Sequence, residues 1–215
     1  MTRAKRMLDL AGAVGGLILL SPLFALLAAL IKAHDGGPVF FRQERVGYRG
    51  RLFRMWKLRT MVAGAEELGL PLTVGRDRRV TPVGALLRRL KLDELPQLFN
   101  VLVGDMSLVG PRPEVPCYVA SYGDAERRVL ELVPGVTDEA SIHYADETAL
   151  LATAPDPERF YVSEIVPAKI RLNLAYAARA TVWTDVGVII ATLRRLFAVA
   201  APPVDPALPR RSPIR

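Results

Sequence analysis

A chain of 215 residues can bury one core of ordinary size without metals or disulfides, and it is too short for a multidomain assembly. Hydrophobic residues make up 51% of it and charged residues 24%, too apolar for an average soluble chain and too charged for one confined to lipid, so part of it is expected in a bilayer. A single cysteine, Cys117, and two histidines exclude an internal disulfide and a Cys/His zinc cluster. The net charge of +7 is uneven: residues 1–60 hold eleven Lys/Arg against Asp9, Asp35 and Glu44, and the remainder nets −1. A basic cluster beside an apolar segment points to an anionic partner, and charge alone leaves lipid headgroups, a phosphorylated substrate and nucleic acid all open.

From Leu10 to Ile31 run twenty-two residues without a formal charge. As a helix they measure about 33 Å, enough to cross a bilayer. Pro22, next to Ser21 at the midpoint, removes one backbone hydrogen bond and crowds the Ile18 carbonyl, which predicts a kink or break. Cations flank both ends, and each flank prefers the cytoplasmic side. A broken helix that enters one leaflet and returns satisfies both flanks; a kinked single span satisfies one and stays open on physical grounds, and a cleaved signal peptide fits the length less well. Residues 39–61, VFFRQERVGYRGRLFRMWKLRTM, predict a β-hairpin around turn material at Gly47 to Gly50. Lys57 and Arg59, two apart, are expected to project from one face, either as a pair of ligand-binding cations or as a solvated strand edge.

Residues 62–80 read as a loop-containing segment. Thr81 and Pro82 then offer an N-cap and an N1 residue for a helix with Val83, Leu86, Leu87 and Leu90 on one stripe and Arg88 opposite. In LDELPQLFNVL, Asp93 is expected to cap a second helix with Glu94 in its first turn. GDMSLVGPRPE, at 104–114, reads as a structured loop. Residues 163–181 are expected to be helical. Residues 183–198 form an amphipathic helix with Val186, Ile189, Ile190, Leu193, Leu196 and Phe197 on one face, a pattern shared by core helices and membrane-interface helices. The segment 201–215, with five prolines and three arginines, reads as a disordered tail.

The adjacent carboxylates Asp93 and Glu94, bracketed by Arg88, Arg89 and Lys91, are the strongest local candidate for chemistry. A carboxylate at a helix start among guanidinium groups is expected to stay ionised, which suits a nucleophile or a divalent-metal ligand; an ordinary helix cap has the same features. Arg112, between Pro111 and Pro113, has a stiff mount suited to bidentate phosphate binding, or to a surface salt bridge.

Three strings, KRMLDLAGAVGGLILLSPLFALLAALIK at 5–32, GPVFFRQERVGYRGRLFRMWKLRTM at 37–61 and RRVTPVGALLRRLKLDELPQLFNVLVGDMSLVGPRPE at 78–114, together resemble the bacterial sugar transferase family, the small monotopic polyprenyl-phosphate phosphoglycosyltransferases. PGVT at 134–137 and the last amphipathic helix extend the likeness. The resemblance implies an α+β, mainly helical monotopic membrane protein. Its parts would be a re-entrant membrane helix over 1–36 broken at Ser21-Pro22, a cytosolic catalytic domain over 37–200 with a short β-hairpin and several interfacial amphipathic helices, and the tail over 201–215.

The resemblance further implies transfer of a sugar 1-phosphate from a nucleotide sugar, usually a UDP-sugar, to polyprenyl phosphate at the cytoplasmic face of the bacterial inner membrane, initiating exopolysaccharide, capsule, O-antigen or glycoconjugate assembly. Asp93 would be the nucleophile that forms a phosphosugar-enzyme intermediate and Glu94 its dyad partner. Mg²⁺, with Asp93 as a ligand, would help neutralise the diphosphate. Lys57, Arg59, Arg88 and Arg112 become phosphate-binding candidates. Anionic phospholipid is an expected partner, nucleic acid is not, and a homo-oligomer is compatible. Relatives commonly carry Gly after PGVT where this chain has Asp138-Glu139, so the Asp138–Glu147 segment and the identity of the sugar stay open; His143 there reads as solvated or as a substrate contact. A membrane-anchored basic module without catalysis is the rival reading. It accounts for the charge and the apolar helix but not for the dyad or the GPRP loop.

Overall fold

The computed structural model describes residues 1–68 and 77–200. The predicted tail at 201–215 and part of the predicted loop at 62–80 lie outside these residues. The fold is α+β and mainly helical. A 33-residue helix α1 (Arg3–Asp35) leads into the antiparallel hairpin β1 (Phe40–Val46) and β2 (Leu52–Leu58), with Phe41 opposite Lys57 and Val46 opposite Leu52. Helix α2 (Pro82–Arg89), a 3-10 turn (Leu92–Glu94) and α3 (Gln97–Val103) follow. Strand β3 (Ser107–Val109) pairs in parallel with β4 (Gly135–Thr137) across the short helices α4 (Pro116–Val119) and α5 (Asp124–Arg127). The chain closes with α6 (Glu139–His143), α7 (Glu147–Ala152), α8 (Pro157–Phe160), a π turn (Tyr161–Ile165), α9 (Val166–Ala177) and α10 (Val182–Ala200).

Helix α1 does not break at Ser21-Pro22; it is helical from end to end. The Ile18 carbonyl, which Pro22 cannot bond, accepts a hydrogen bond from the Ser21 hydroxyl at 2.8 Å. Packing holds both halves besides. Ala13 joins a cluster with Phe53, Met55, Val101 and Met106; Leu27 and Ile31 join Leu58 and Leu87; the Phe24 and Phe99 rings meet at 6.4 Å. The docked positions Asp9, Ala13, Phe24, Leu27 and Ile31 follow the i, i+3/i+4 recurrence of one helix face. The other faces are bare, with Met7, Ile18 and Leu19 at least 70% exposed.

Polar ties fix the same helix. Lys5 donates to Asp185 on α10 at 2.6 Å and to the Val109 carbonyl at 2.9 Å. Arg6 donates to the Val101 and Leu102 carbonyls, and the buried Asp9 accepts from Ser107 and from the Leu108 amide. At the far end Arg59 donates to Asp35 through both terminal nitrogens and to the Pro38 carbonyl.

The loop expected at 104–114 contains a strand. Its pairing depends on Gly110 and Gly135, since a Cβ on Gly135 would lie 2.1 Å from the Gly110 amide nitrogen. Thr81 caps α2 as predicted, accepting from the Gly84 amide at 2.9 Å. On the expected α2 stripe Leu87 is buried, but Leu86 is 46% exposed. Helix α10 buries Asp185 and Val188, packs Ile189 on the same cluster and leaves Trp183, Ile190 and Leu193 exposed, so its apolar face is only partly core.

Candidate active site

The hairpin, the 59–65 segment, α2, the 3-10 turn, the Pro111–Glu114 loop and the helices α4, α7 and α9 enclose one open cavity of about 1430 Å³. Asp93 and Glu94 line it, as do Lys57, Arg59, Arg88 and Arg112. All six sequence candidates thus border one space, with different commitments.

Asp93 is not a helix cap. The chain leaves α2 through Lys91, held at φ 56° in the left-handed region, and this reversal turns Leu92–Glu94 inward. Asp93 is buried, and its Oδ1 has no hydrogen-bond partner. Burial and the neighbouring Glu94 carboxylate push its pKa up, against the opposing pull of Lys57, Arg88 and Lys91. The helix-cap setting expected to favour the ionised form is therefore absent, and burial works against the charge while the neighbouring cations support it.

Glu94 has the opposite setting. Burial would raise its pKa, but Arg112 and Lys57 outweigh that and hold it well below the usual carboxylate range. Arg112 makes a bidentate pair with it, Nη1 to Oε2 at 2.9 Å and Nη2 to Oε1, and Lys57 Nζ lies 3.8 Å from Oε1. The pair in turn raises the pKa of Arg112, whereas desolvation lowers that of Lys57 to about 8. Two adjacent carboxylates whose environments push them apart take different roles.

Arg88 donates to the Thr60 hydroxyl at 2.8 Å, and burial lowers its pKa. Arg59 departs from expectation: its guanidinium is bound to Asp35, Pro38 and Met61, so it pins the end of α1 to the hairpin rather than pairing with Lys57. His143 is exposed, set edge-on to Tyr144, and does not line the cavity. Asp138 is buried as the cap of α6, accepting from the Ser141 amide at 2.7 Å.

Sequence reasoning missed the support of the Arg112 loop. Arg45 donates to the Pro113 carbonyl at 3.0 Å and to Glu114 at 3.1 Å, Gln43 fixes Arg45, and the Tyr161 hydroxyl donates to the other Glu114 oxygen. Arg45 and Glu114 sit within the recognised strings, but pairing across 69 positions leaves no local pattern.

Of the dyad, Asp93 is the carboxylate available to a divalent cation, because both Glu94 oxygens are committed to Arg112. Among the described residues no group of three or more His, Cys, Asp or Glu could hold a metal. One unpartnered carboxylate oxygen fits Mg²⁺, which takes one or two carboxylates and completes its shell with substrate phosphates and water; it does not fit a closed structural metal.

An apolar helix long enough to cross a membrane is thus docked on a small domain that holds a split carboxylate dyad in a cation-rich cavity. The profile of the bacterial sugar transferase family matches residues 1–199, and the chain belongs to that family. It is 37% identical over 199 residues to a UDP-N-acetylgalactosamine-undecaprenyl-phosphate N-acetylgalactosaminephosphotransferase of Aeromonas hydrophila, covering 90% of this chain and 43% of that protein. It is 42% identical over 149 residues to the exopolysaccharide production protein ExoY of Rhizobium meliloti, covering 62% and 66%. A UDP-glucose:undecaprenyl-phosphate glucose-1-phosphate transferase of Escherichia coli K12 is 33% identical over 201 residues, covering 90% and 40%. The chain thus spans between two fifths and two thirds of these relatives' lengths.

Proposed function

We propose that the protein transfers a sugar 1-phosphate from a UDP-sugar to polyprenyl phosphate through a covalent aspartyl intermediate on Asp93. The observation that carries this reading is the split dyad: a buried carboxylate with one unpartnered oxygen faces the cavity, while its neighbour is locked to Arg112 and Lys57. In the first half-reaction an Asp93 oxygen attacks the phosphorus that bears the sugar. The bond from that phosphorus to the bridging oxygen breaks, and UMP leaves with the electron pair. In the second, an oxygen of polyprenyl phosphate attacks the same phosphorus and Asp93 leaves as carboxylate.

Both displacements depend mainly on positioning and charge neutralisation, which the cations lining the cavity supply. Burial raises the pKa of Asp93 while the charges of Lys57, Arg88 and Lys91 oppose that shift, and the attacking species is the carboxylate form. A bound Mg²⁺ on Asp93 and the diphosphate would add Lewis-acid neutralisation of the departing charge.

The proposed membrane placement is supported by α1. A 33-residue helix is about 50 Å long, more than the ~30 Å hydrocarbon core, yet it touches the domain from Lys5 to Ile31. A perpendicular span would drag the domain into lipid. The bare side of α1, with Val103 and Trp183 also exposed, suits an unbroken helix laid into one leaflet, with both its ends and the cavity on the cytoplasmic side.

The test supplies UDP-sugar carrying a labelled sugar phosphate without acceptor. Label bound to wild-type protein and absent from Asp93→Asn supports the reading. Transfer to polyprenyl phosphate at undiminished rate by Asp93→Asn refutes it.

A further inference from the structure

One wall of the cavity differs in chemistry from the rest. Around the dyad the lining is rich in cations, including Lys57, Arg79, Arg88, Arg89, Lys91 and Arg112. The wall from α4, α7 and the Tyr161–α9 segment instead offers the Glu147–Lys169 pair, backed by the largely buried Tyr118, Tyr161, Val115 and Leu151. We propose that this wall is the subsite that holds and discriminates the sugar ring, with Glu147 and Lys169 reading its hydroxyl or acetamido groups; this rests on the transferase reading above.

The argument begins with what each half-reaction keeps. The nucleotide leaves and the lipid phosphate enters, so both use the cation-lined region in turn. Only the sugar 1-phosphate stays through both steps, and its ring carries no charge for the arginines to grip. A neutral, hydroxylated ring needs an apolar or aromatic face together with a strong acceptor and a strong donor. The Glu147–Lys169 ion pair supplies both, with side chains 23% and 16% exposed. A phosphate at the same place would meet the Glu147 carboxylate.

The wall is also built to stay put. The Tyr118 and Tyr161 rings meet at 5.3 Å, Lys169 Nζ lies 5.8 Å from the Tyr161 ring centre, and the Tyr161 hydroxyl is fixed to Glu114. Through Glu114 and Arg45 the wall is tied to the loop that carries Arg112. A ring seated here is therefore registered against the phosphate position by bonded contacts.

The experiment uses the full chain in lipid nanodiscs and the donors UDP-glucose, UDP-galactose, UDP-N-acetylglucosamine and UDP-N-acetylgalactosamine. Affinities for each donor and for UDP are measured in the Asp93→Asn background, with and without Glu147→Gln or Lys169→Met; kcat/KM from UMP release is measured in the otherwise wild-type chain. The expected result is that either variant lowers by about tenfold the preference for the best donor over its epimer or its analogue lacking the acetamido group, the scale of one hydrogen bond to a charged group. The affinity for UDP stays the same. The proposal is overturned if UDP affinity falls while sugar preference is kept, which would put the nucleoside on this wall. It is equally overturned if all donors weaken alike in step with a lower melting temperature. If no donor yields UMP, the transferase reading fails by itself, and the affinity difference between each UDP-sugar and UDP still decides the subsite.

Discussion

Removing Arg112 tests the site's electrostatics most directly, because the structure gives that residue two duties where the sequence suggested one. As a phosphate ligand alone, Arg112→Ala would cost turnover and leave stability untouched. In the folded protein, however, Arg112 is the bidentate counter-ion of a carboxylate whose side chain is only 17% exposed. Breaking a buried ion pair from one side costs about 3–5 kcal/mol. Two features reduce that here: Lys57 remains 3.8 Å from Glu94, and the Arg112 side chain is 30% exposed, so water enters as the guanidinium leaves. About 2 kcal/mol is the resulting expectation, which at about 2–4 °C per kcal/mol for a chain of this size lowers Tm by about 4–8 °C.

Adding Glu94→Gln to Arg112→Ala removes the stranded charge and should recover much of that loss. Thermal unfolding of wild type, the two single variants and the double variant in one detergent forms the cycle. An Arg112→Ala protein that melts with wild type, or a double variant no more stable than Arg112→Ala, would refute the reasoning. At an assay temperature where Arg112→Ala stays folded, its turnover should still fall; unchanged turnover would strike Arg112 from the phosphate site.

Other expectations follow from the same contacts. Asp93→Asn should lower turnover by about 10³-fold or more while raising Tm: with a raised folded-state pKa, the stability linked to protonated Asp93 is complete below the ordinary carboxylate pKa and lost as pH climbs through the folded value, so ionised Asp93 is a burden near neutrality. A drop in Tm would contradict this. The pH–rate profile should show an acid limb displaced upward from the ordinary carboxylate range by Asp93 and an alkaline limb near pH 8, where Lys57 loses its proton; Lys57→Arg should abolish the alkaline limb, and its persistence would assign it elsewhere. Arg59→Ala should lower Tm through loss of the Asp35 clamp yet keep turnover per folded molecule, and a selective loss of turnover would return Arg59 to the phosphate site. A cysteine at Thr2 in a Cys117→Ser background should resist a membrane-impermeant maleimide in intact cells and react after lysis, whereas labelling of intact cells would mean that α1 spans.

Where local pattern determines structure, the sequence was readable. The hairpin followed from alternation around a Gly-flanked turn, α2 from Thr81-Pro82, and α10 from its apolar periodicity. The dyad was legible as residue types in a recognised string, but its electrostatics were not. Those depend on Lys91 taking a left-handed conformation that sequence would assign to Gly or Asn, and on Glu94 finding Arg112 eighteen residues away. Strand spacing sets the direction of the Arg59 side chain, which lines the cavity, but not its partner; Asp35, 24 positions earlier, holds the guanidinium. The β3–β4 pair was hidden because two three-residue strands are too short to alternate and are enabled by a close backbone approach at Gly110 and Gly135. Proline at 22 removes a backbone bond, but the Ser21 hydroxyl supplies a replacement to the Ile18 carbonyl, and packing on both sides keeps the helix whole.

The same contacts explain how one pocket could serve a water-soluble donor and a lipid acceptor. The dyad lies on the turn between α2 and α3, and both helices pack on α1, through Leu87 against Leu27 and Ile31 and through Val101 against Ala13. The carboxylates are thus registered against the apolar helix by the core itself. Whatever depth α1 takes in the leaflet fixes the depth of Asp93. Under the proposed reaction, the polyprenyl phosphate headgroup then needs no extraction from the bilayer to reach the intermediate, and the binding energy its chain gains in lipid is never given up. Arg59 gripping Asp35 belongs to the same arrangement, since it stops the end of α1 from swinging away from the hairpin that carries Lys57. Under that reading, membrane anchoring and catalytic geometry are one mechanical problem in this fold, and the residues that solve it lie as much in α1 as in the cavity.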